Sequence, residues 1–382
     1  MRYYFCSLAI LLLLPFWLRA ADAKETFNPI QVASPTLVMA PDARASGMGD
    51  MGVATTPDAN SQHWNAAKYA FIPNKVGGSL SYIPWLRNLV PDVNISYLSV
   101  FYKLDDLQAI ATSLRYFSLG SMQLIDDRGA WFGDADPFEM AWDASYTRLF
   151  GEHFSMGLTL RYIRSDLTGG ANNGEYNAMT PANAFGSDLS FYYQNGYLRD
   201  SEYAFGLCIS NLGTKISYNN QDEGGDKHFL PMAIRLGGRY SYSFDDDNRL
   251  MVGLELSKLL VPSPAVRDVT TDEILKGKED DVSKISVVQA MFQSFVDAPY
   301  GFKEEMSEIM SSWGAEYGYQ DLFFARFGYF HDSKRKGNRR YLTFGAGVRY
   351  SFMTLDLAYY YTFTNNDPMK NTLKLSLGFY FK

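Results

Sequence analysis

The stretch TLKLSLGFYF, residues 372–381, alternates strictly between apolar side chains and small, polar or tyrosine side chains. Successive side chains of an extended strand point to opposite faces, so Leu373, Leu375 and Leu377 share one face with two phenylalanines. That face suits lipid, and the other suits a polar interior. In a soluble sandwich, the second face would instead carry many solvated charges. The stretch therefore predicts a membrane-spanning strand of a β-barrel.

The same alternation recurs along most of the chain, for example in residues 154–162, 232–240 and 342–350. The few charges in these stretches fall on the small-residue face. We predict an all-β fold, a transmembrane antiparallel β-barrel of about 14 strands, an even number as in other bacterial barrels. The predicted strands begin near Val76, Val93, Leu107, Phe138, His153, Gly186, Glu202, Leu230, Asn248, Ser312, Leu322, Arg340, Met353 and Asn371.

The predicted connections alternate between short turns and long loops, as periplasmic turns and external loops do in such barrels. The long loops are 119–137, 166–183, 211–229 and 263–310. The last of these has helical spacing of apolar residues from Val287 onward, which predicts a long helical external loop. A loop of that length indicates a lid or a docking surface.

The composition fits a barrel and argues against a nucleic-acid partner. Of the 382 residues, 47% are hydrophobic and 16% aromatic, yet the mean hydropathy is only -0.20, so apolar and polar residues are finely mixed. Aromatic residues are typical of the two membrane interfaces. The net charge of -7 argues against phosphate-backbone binding, which needs a basic surface.

The N-terminus predicts export and divides the chain into three parts. Arg2, a short apolar stretch and the A-x-A pattern at 21–23 predict a signal peptide over 1–23. A membrane anchor helix is the alternative, but Pro15 interrupts the apolar stretch. Residues 24–75 lack alternation and are expected to form an N-terminal plug or periplasmic segment. Residues 76–382 are expected to form the barrel.

No motif in the chain predicts catalysis, a metal or a cofactor. The G-x-G-x-x-G at 47–52 lacks the preceding strand of a dinucleotide site, so we interpret its glycines as tight turns in a plug. The four histidines are not at ligand spacing, G-x-S-x-G is absent, and Cys208 is alone after the signal. Lumen-facing charges are expected to form a salt-bridged interior: Arg115, Asp143, Arg161, Asp188, Arg235, Arg239, Glu255, Arg326, Arg349 and Asp356.

The N-terminal stretch APDARASGMGDMGVA, residues 40–54, is followed by Asp-Ala-Asn at 58–60 and Trp-Asn-Ala-Ala at 64–67. Together these resemble the signature of the PorV (LptO) family of the type IX secretion system of Bacteroidetes. The resemblance implies a barrel similar to the FadL fatty-acid transporters, and related PorQ barrels open in a similar way. The motif residues assigned to the plug are Asp42, Arg44, Gly47, Gly49, Asp50, Gly52 and Asn65.

The resemblance also implies a function and a location in the outer membrane of a Gram-negative bacterium. Family members bind C-terminal signal domains of secreted cargo that has crossed a giant translocon barrel. They deliver the cargo to a surface complex whose PorU sortase attaches it to lipopolysaccharide, and they do no catalysis themselves. The candidate contacts in the external loops, which could equally be aromatic and apolar groups resting in lipid headgroups, are Trp85, Leu86, Trp131, Phe132, Phe292 and Phe295.

Two other functions stay open. A FadL-like transporter of hydrophobic solutes would need an apolar pocket and a lateral gap in the barrel wall. The predicted lumen is largely small and polar, which weakens this interpretation. A lipid A-modifying enzyme is the third, and the lack of a Ser/His pair argues against it.

Overall fold

The structure is a computed structural model. It describes residues 27–85, 92–125, 131–169, 180–195, 201–218, 227–267, 273–277, 284–363 and 369–382. The predicted signal peptide, residues 1–23, lies outside these ranges. Among the residues described, no helix is both long enough and apolar enough to cross a membrane.

Fourteen antiparallel strands close into one barrel, in which each strand pairs with the next and the last pairs with the first. This confirms the predicted fold class and strand number. Every predicted start lies within four residues of the observed one, and the largest error is at Gly186, because β6 begins at Ala182. The strands are β1 Val76–Pro84, β2 Asn94–Lys103, β3 Gln108–Ser118, β4 Phe138–Phe150, β5 Phe154–Asp166, β6 Ala182–Gln194, β7 Ser201–Gly213, β8 Ala233–Ser243, β9 Asn248–Leu259, β10 Met310–Tyr319, β11 Phe323–His331, β12 Arg340–Tyr350, β13 Met353–Thr362 and β14 Leu373–Phe381.

The alternation of each strand becomes an inside and an outside of the barrel. In β14, Leu373 and Leu375 are exposed on the outer wall, whereas Lys374 and Ser376 are buried in the lumen. The outer wall is a belt of large apolar side chains, which is the surface that a bilayer requires. Since the side-chain period is two, a one-residue slip in register would turn this belt inward, so the apolar pattern fixes the register.

The connections differ at the two ends of the barrel. At one end, which we call the short-turn end, β2–β3, β4–β5, β8–β9, β10–β11 and β12–β13 are joined by at most four residues. The other end, the long-loop end, carries most of the remaining secondary structure. These elements are three short strand pairs, Met122–Ile125 with Trp131–Ala135, Ile216–Ser217 with Lys227–His228, and Val266–Arg267 with Ile274–Lys276. Two short helices, α3 Val287–Gln293 and α4 Phe302–Ser307, lie at the same end.

The N-terminal segment runs through the inside of the barrel. It contains α1 Ala43–Ser46 and α2 Ser61–Trp64, and none of its residues from 41 to 72 is exposed. Asn28 N donates to Arg335 O (2.7 Å) at the long-loop end, and Lys75 N donates to Phe381 O (3.1 Å) at the short-turn end. Between these points the segment bonds inward-facing side chains around the barrel, including Ser99, Ser155, Glu255, Thr343 and Ser376.

The charges that the sequence placed in the lumen are mostly buried there. Eight of the ten are buried and Asp356 is half-buried. Arg349 differs, because its position at the short-turn end leaves it exposed, with its guanidinium over the ring of Phe324. In one cluster, Arg161 bonds Asp143 at 2.7 Å and Asp188 at 3.0 Å, so one buried cation is shared by two carboxylates.

Candidate functional site

A cavity of about 480 Å³ lies inside the barrel at the long-loop end. Its apolar walls come from Ile30 and Val32 of the N-terminal segment and from Trp85, Phe117 and Phe330 of the barrel. Its polar lining includes Arg235, Glu255, Asp332, Lys336 and Arg339. A volume of this size matches the lower range of small-ligand pockets in proteins, so the mouth of the barrel can hold an apolar group or a short chain segment.

The floor of the cavity is held by three cations. Arg235 Nη2 donates to Val38 O (3.2 Å), Lys374 Nζ donates to Ala40 O (2.8 Å), and Arg115 Nη1 donates to Met39 O (3.3 Å) and to the carbonyl of residue 36. These three side chains come from β3, β8 and β14, on different sides of the barrel. Because a cation strengthens a hydrogen bond to a carbonyl, they fix residues 36–40 across the lumen.

Below the floor, Arg44 joins the N-terminal segment to the wall. Its guanidinium contacts Glu316 at 2.9 Å and Asp58 at 2.8 Å. Glu316 also bonds Arg326 at 2.6 Å, and Arg326 bonds Asp356 at 2.7 Å. Every charge in this chain of contacts has a partner of the opposite sign, as buried charges require.

The pKa of Asp58, a residue of the N-terminal segment, is shifted by the cations of this ion-pair network. Burial by itself would raise the pKa of this carboxyl, but the Lys68 and Arg44 cations lower it below its usual value. Asp58 therefore stays ionised and keeps its bond to Arg44.

The glycine motif makes the close approaches between the segment and the wall. Gly49 has a φ of +69°, a conformation that other residues rarely adopt, and an added Cβ would lie 2.8 Å from Tyr329 O. At Gly52 a Cβ would lie 2.1 Å from the ring of Trp64. Gly47 lies against Gly345 of β12. The motif brings backbone against backbone, with no strand leading into it as a dinucleotide site would need.

The polar members of the motif hold the segment together. Asp42 caps α1 by accepting from Ala45 N (2.9 Å), and it also accepts from Trp64 Nε1 (2.7 Å). Asn65 Nδ2 donates to Phe191 O on β6 at 2.9 Å. The two carboxylate oxygens of Asp50 each accept a tyrosine hydroxyl at 2.5 Å, from β12 and β13.

The six candidate contact residues do not come together in one site. Trp85 lines the cavity, and Trp131, 63% exposed, lies in the hairpin of the β3–β4 loop. Phe292 and Phe295 are exposed on the β9–β10 loop, in and just after α3. Leu86 and the side chain of Phe132 lie outside the described parts of the chain.

Two charges that organise this region were missed by the sequence interpretation. Glu316 and Glu202 face the lumen and are buried, but they were not among the predicted inward charges, whereas the alternation in residues 372–381 had already placed Lys374 on the lumen face. The alternation of side chains along each strand could have identified these charges, because each charged residue has an exposed aromatic or apolar neighbour in its strand. The partner of each could not be read from the sequence, because it depends on how the barrel closes.

A closed fourteen-strand barrel with an apolar outer belt and an internal N-terminal segment is an outer-membrane β-barrel. The fold is similar to that of the TodX deltaS2S3 mutant monoaromatic hydrocarbon channel, at 12% identity and a TM-score of 0.51, covering 88% of this chain and 98% of that one. The CymD monoaromatic hydrocarbon channel is similar at 12% identity and a TM-score of 0.50, covering 90% and 98%. A Pseudomonas aeruginosa FadL homologue is more distant, at 13% identity and a TM-score of 0.44, covering 89% and 98%.

The family follows from the sequence. Residues 21–266, more than half of the chain, match the family of the type IX secretion system protein PorV. The chain therefore belongs to the PorV family of the type IX secretion system. The match spans the N-terminal segment and the first nine strands, and it ends before α3 and α4. No curated protein matches the chain.

Proposed function

We propose that this protein is the cargo carrier of a type IX secretion system in the outer membrane of a Bacteroidetes-type bacterium. It binds the C-terminal signal domain of cargo that leaves the giant translocon barrel. It then delivers the cargo to the attachment complex, where the PorU sortase joins it to lipopolysaccharide. The proposal assigns no catalytic step and no cofactor to this chain.

The observation that carries this proposal, beside the family, is the filled lumen. No residue of the segment 41–72 is exposed, and the segment is bonded to wall side chains around the barrel, so a folded cargo domain has no path through this barrel. A carrier whose lumen is filled in this way binds its cargo on the outside of the barrel. The long-loop end is the surface available for that contact, because long loops of bacterial barrels face the cell exterior.

Within that end we assign the cargo contact to the hairpin around Trp131 and to the cavity mouth near Trp85. Trp131 is exposed, and its Nε1 donates to Asp134 at 3.2 Å, so the hairpin presents the ring with one polar contact of its own. Exposed tryptophans with a fixed orientation are frequent anchors of protein interfaces. The cavity mouth can accept one apolar side chain of the cargo.

The first test is a binding experiment with the purified tagged barrel and an isolated C-terminal signal domain. We expect Trp131→Ala to weaken binding by about 2 kcal/mol, or roughly thirtyfold in Kd. Trp142→Ala is the matched control, since this ring is also exposed but lies on the lipid-facing side of β4. Equal binding by both variants would remove the hairpin from the contact surface.

The second test is deletion of the gene followed by fractionation of the secreted proteins. The carrier proposal predicts that cargo with uncleaved signal domains accumulates in the periplasm. Normal secretion would exclude the carrier role.

A FadL-like transporter of hydrophobic solutes is the second candidate, and the largely apolar cavity of about 480 Å³ favours it. The deletion experiment separates the two, because a transporter would lose uptake of a long-chain fatty acid while secretion stays normal. The filled lumen below the cavity argues against transport straight through the barrel.

A further inference from the structure

The loop between β9 and β10 folds back over the outside of the barrel rim. Lys258 pairs with Ile234 across β8 and β9, and both side chains point outward, away from the lumen. An outward lysine at this height would normally be exposed, yet Lys258 is only 7% exposed. It is covered by α4, where its Nζ contacts Glu305 at 3.3 Å and Glu308 more closely. The loop therefore covers part of the outer wall.

Helix α3 joins the same apolar cluster as outward-facing wall residues. Ile209 points outward, since its neighbours Cys208 and Ser210 are buried in the lumen. Together with Ile234 it packs in the cluster to which Val287 of α3 also belongs. The same cluster also contains two cavity-lining residues of the N-terminal segment, so it crosses the rim of the barrel and reaches the outer wall at Ile209 and Ile234.

The opposite side of the loop is apolar and uncovered. Val288, Phe292, Phe295 and Val296 are all exposed, with Val296 at 81%. No charged residue occurs between 285 and 296. A helix with apolar residues on both sides is normally buried on both sides. Beyond it, α4 continues the patch with exposed Phe302 and Met306, whereas Glu305 contacts Lys258 and Glu304 contacts Lys336.

We propose that the segment 285–306 is an interfacial element that rests in the outer leaflet and binds lipid acyl chains. Its inner side is held on the wall by the cluster of Ile234 and by the ion pairs of Lys258. Its outer side extends the lipid-facing belt sideways, at the level where the strands end. A large apolar patch in water is unfavourable, and aromatic side chains are stabilised at the membrane interface. Phe292 and Phe295 then contact lipid.

The hairpin around Trp131 differs from the segment 285–306 in the residues beside its exposed ring. Its exposed tryptophan is bonded to Asp134, and Asp136 is also exposed. Acidic groups beside an aromatic ring favour water over the leaflet. The hairpin around Trp131 is thus assigned to water, and the segment 285–306 at the same end of the barrel is assigned to lipid.

The test places a fluorescent bimane label on single cysteines in proteoliposomes of the purified full chain, in a background that carries Cys6→Ala and Cys208→Ala. Val296→Cys reports the segment. Leu236→Cys, on the outer face of β8 and 54% exposed, reports lipid, and Trp131→Cys reports water. Each label is quenched separately by nitroxide-bearing lipids and by aqueous iodide.

We expect the label at 296 to be quenched by lipid nitroxides to the same extent as that at 236, and to be protected from iodide. Quenching of the label at 296 by iodide, as at 131, would overturn the proposal. Protection from both quenchers would also overturn it, because a second copy of the chain would then cover this face. The cargo-binding test above is independent of either result.

Discussion

Loss of Arg44 is the change that we expect to loosen the N-terminal segment most. Its guanidinium bonds Glu316 at 2.9 and 3.1 Å and Asp58 at 2.8 Å, and these side chains are largely buried. Arg44→Ala leaves both carboxylates in the lumen with one cation fewer. Removing one partner of a buried ion pair costs about 3–5 kcal/mol.

The expected value lies at the lower end of that range. Glu316 keeps its 2.6 Å bond to Arg326, and Asp58 keeps the attraction of Lys68. A loss of about 3 kcal/mol in the free energy of unfolding corresponds to a more than hundredfold change in equilibrium. It is measured by urea unfolding in lipid vesicles. Single-channel conductance in planar bilayers provides a second readout, since a released segment opens the lumen.

Arg249→Ala is the matched control. Arg249 bonds Glu202 at 2.9 Å, but its side chain is about one-third exposed, and Glu202 keeps the buried Arg239. Partly exposed pairs contribute about 0–1 kcal/mol, so little destabilisation and no added conductance are expected. If Arg44→Ala behaves like this control in both measurements, the ion-pair network does not hold the segment in the barrel.

Other substitutions test single contacts. Gly52→Ala should lower the melting temperature, because its Cβ would lie 2.1 Å from the Trp64 ring. Gly186→Ala is the control and should not lower it, because a Cβ at this position would lie 3.7 Å from its nearest neighbour. Equal melting temperatures of the two variants would contradict this close packing. Asp50→Ala removes two buried hydrogen bonds from tyrosine hydroxyls and should cost about 2–3 kcal/mol in urea unfolding. A loss under about 0.5 kcal/mol would refute the role of these bonds. Burial and two nearby glutamates raise the pKa of Asp297 from 3.8 to about 7, so the folded loop binds this proton more tightly than the released loop does. Attachment of residues 284–309 to the barrel should therefore weaken as pH rises from about 4 to about 7. The weakening would appear as faster amide hydrogen exchange in these residues, after correction for the intrinsic exchange rate. Asp297→Asn should abolish the pH dependence.

The N-terminal segment has two parts that are held differently. Residues 41–72 are bonded to the wall through charged side chains such as Arg44 and Glu255. Residues 27–40 line the cavity and are held mainly by carbonyl groups bonded to cations and by apolar packing. A partner that enters the cavity therefore meets residues 27–40 first.

The sequence by itself determined the barrel, its strand number and the strand starts to within four residues. Alternation with a period of two is a local property, and residues 372–381 carry it without help from the rest of the chain. The largest error, at β6, occurred where Ala182, Ala184 and Gly186 give a weak apolar contrast. The glycine motif likewise predicted tight backbone in the N-terminal segment.

Only the tertiary structure decided which charges meet and where the loops lie. Arg44 and Glu316 are 272 residues apart, and their bond depends on closure of the barrel and on the path of the segment through it. Lys258 has an outward register, which by itself predicts exposure, but the folded loop buries it against Glu308. Such contacts join parts of the chain that are remote in sequence, so local patterns carry no information about them.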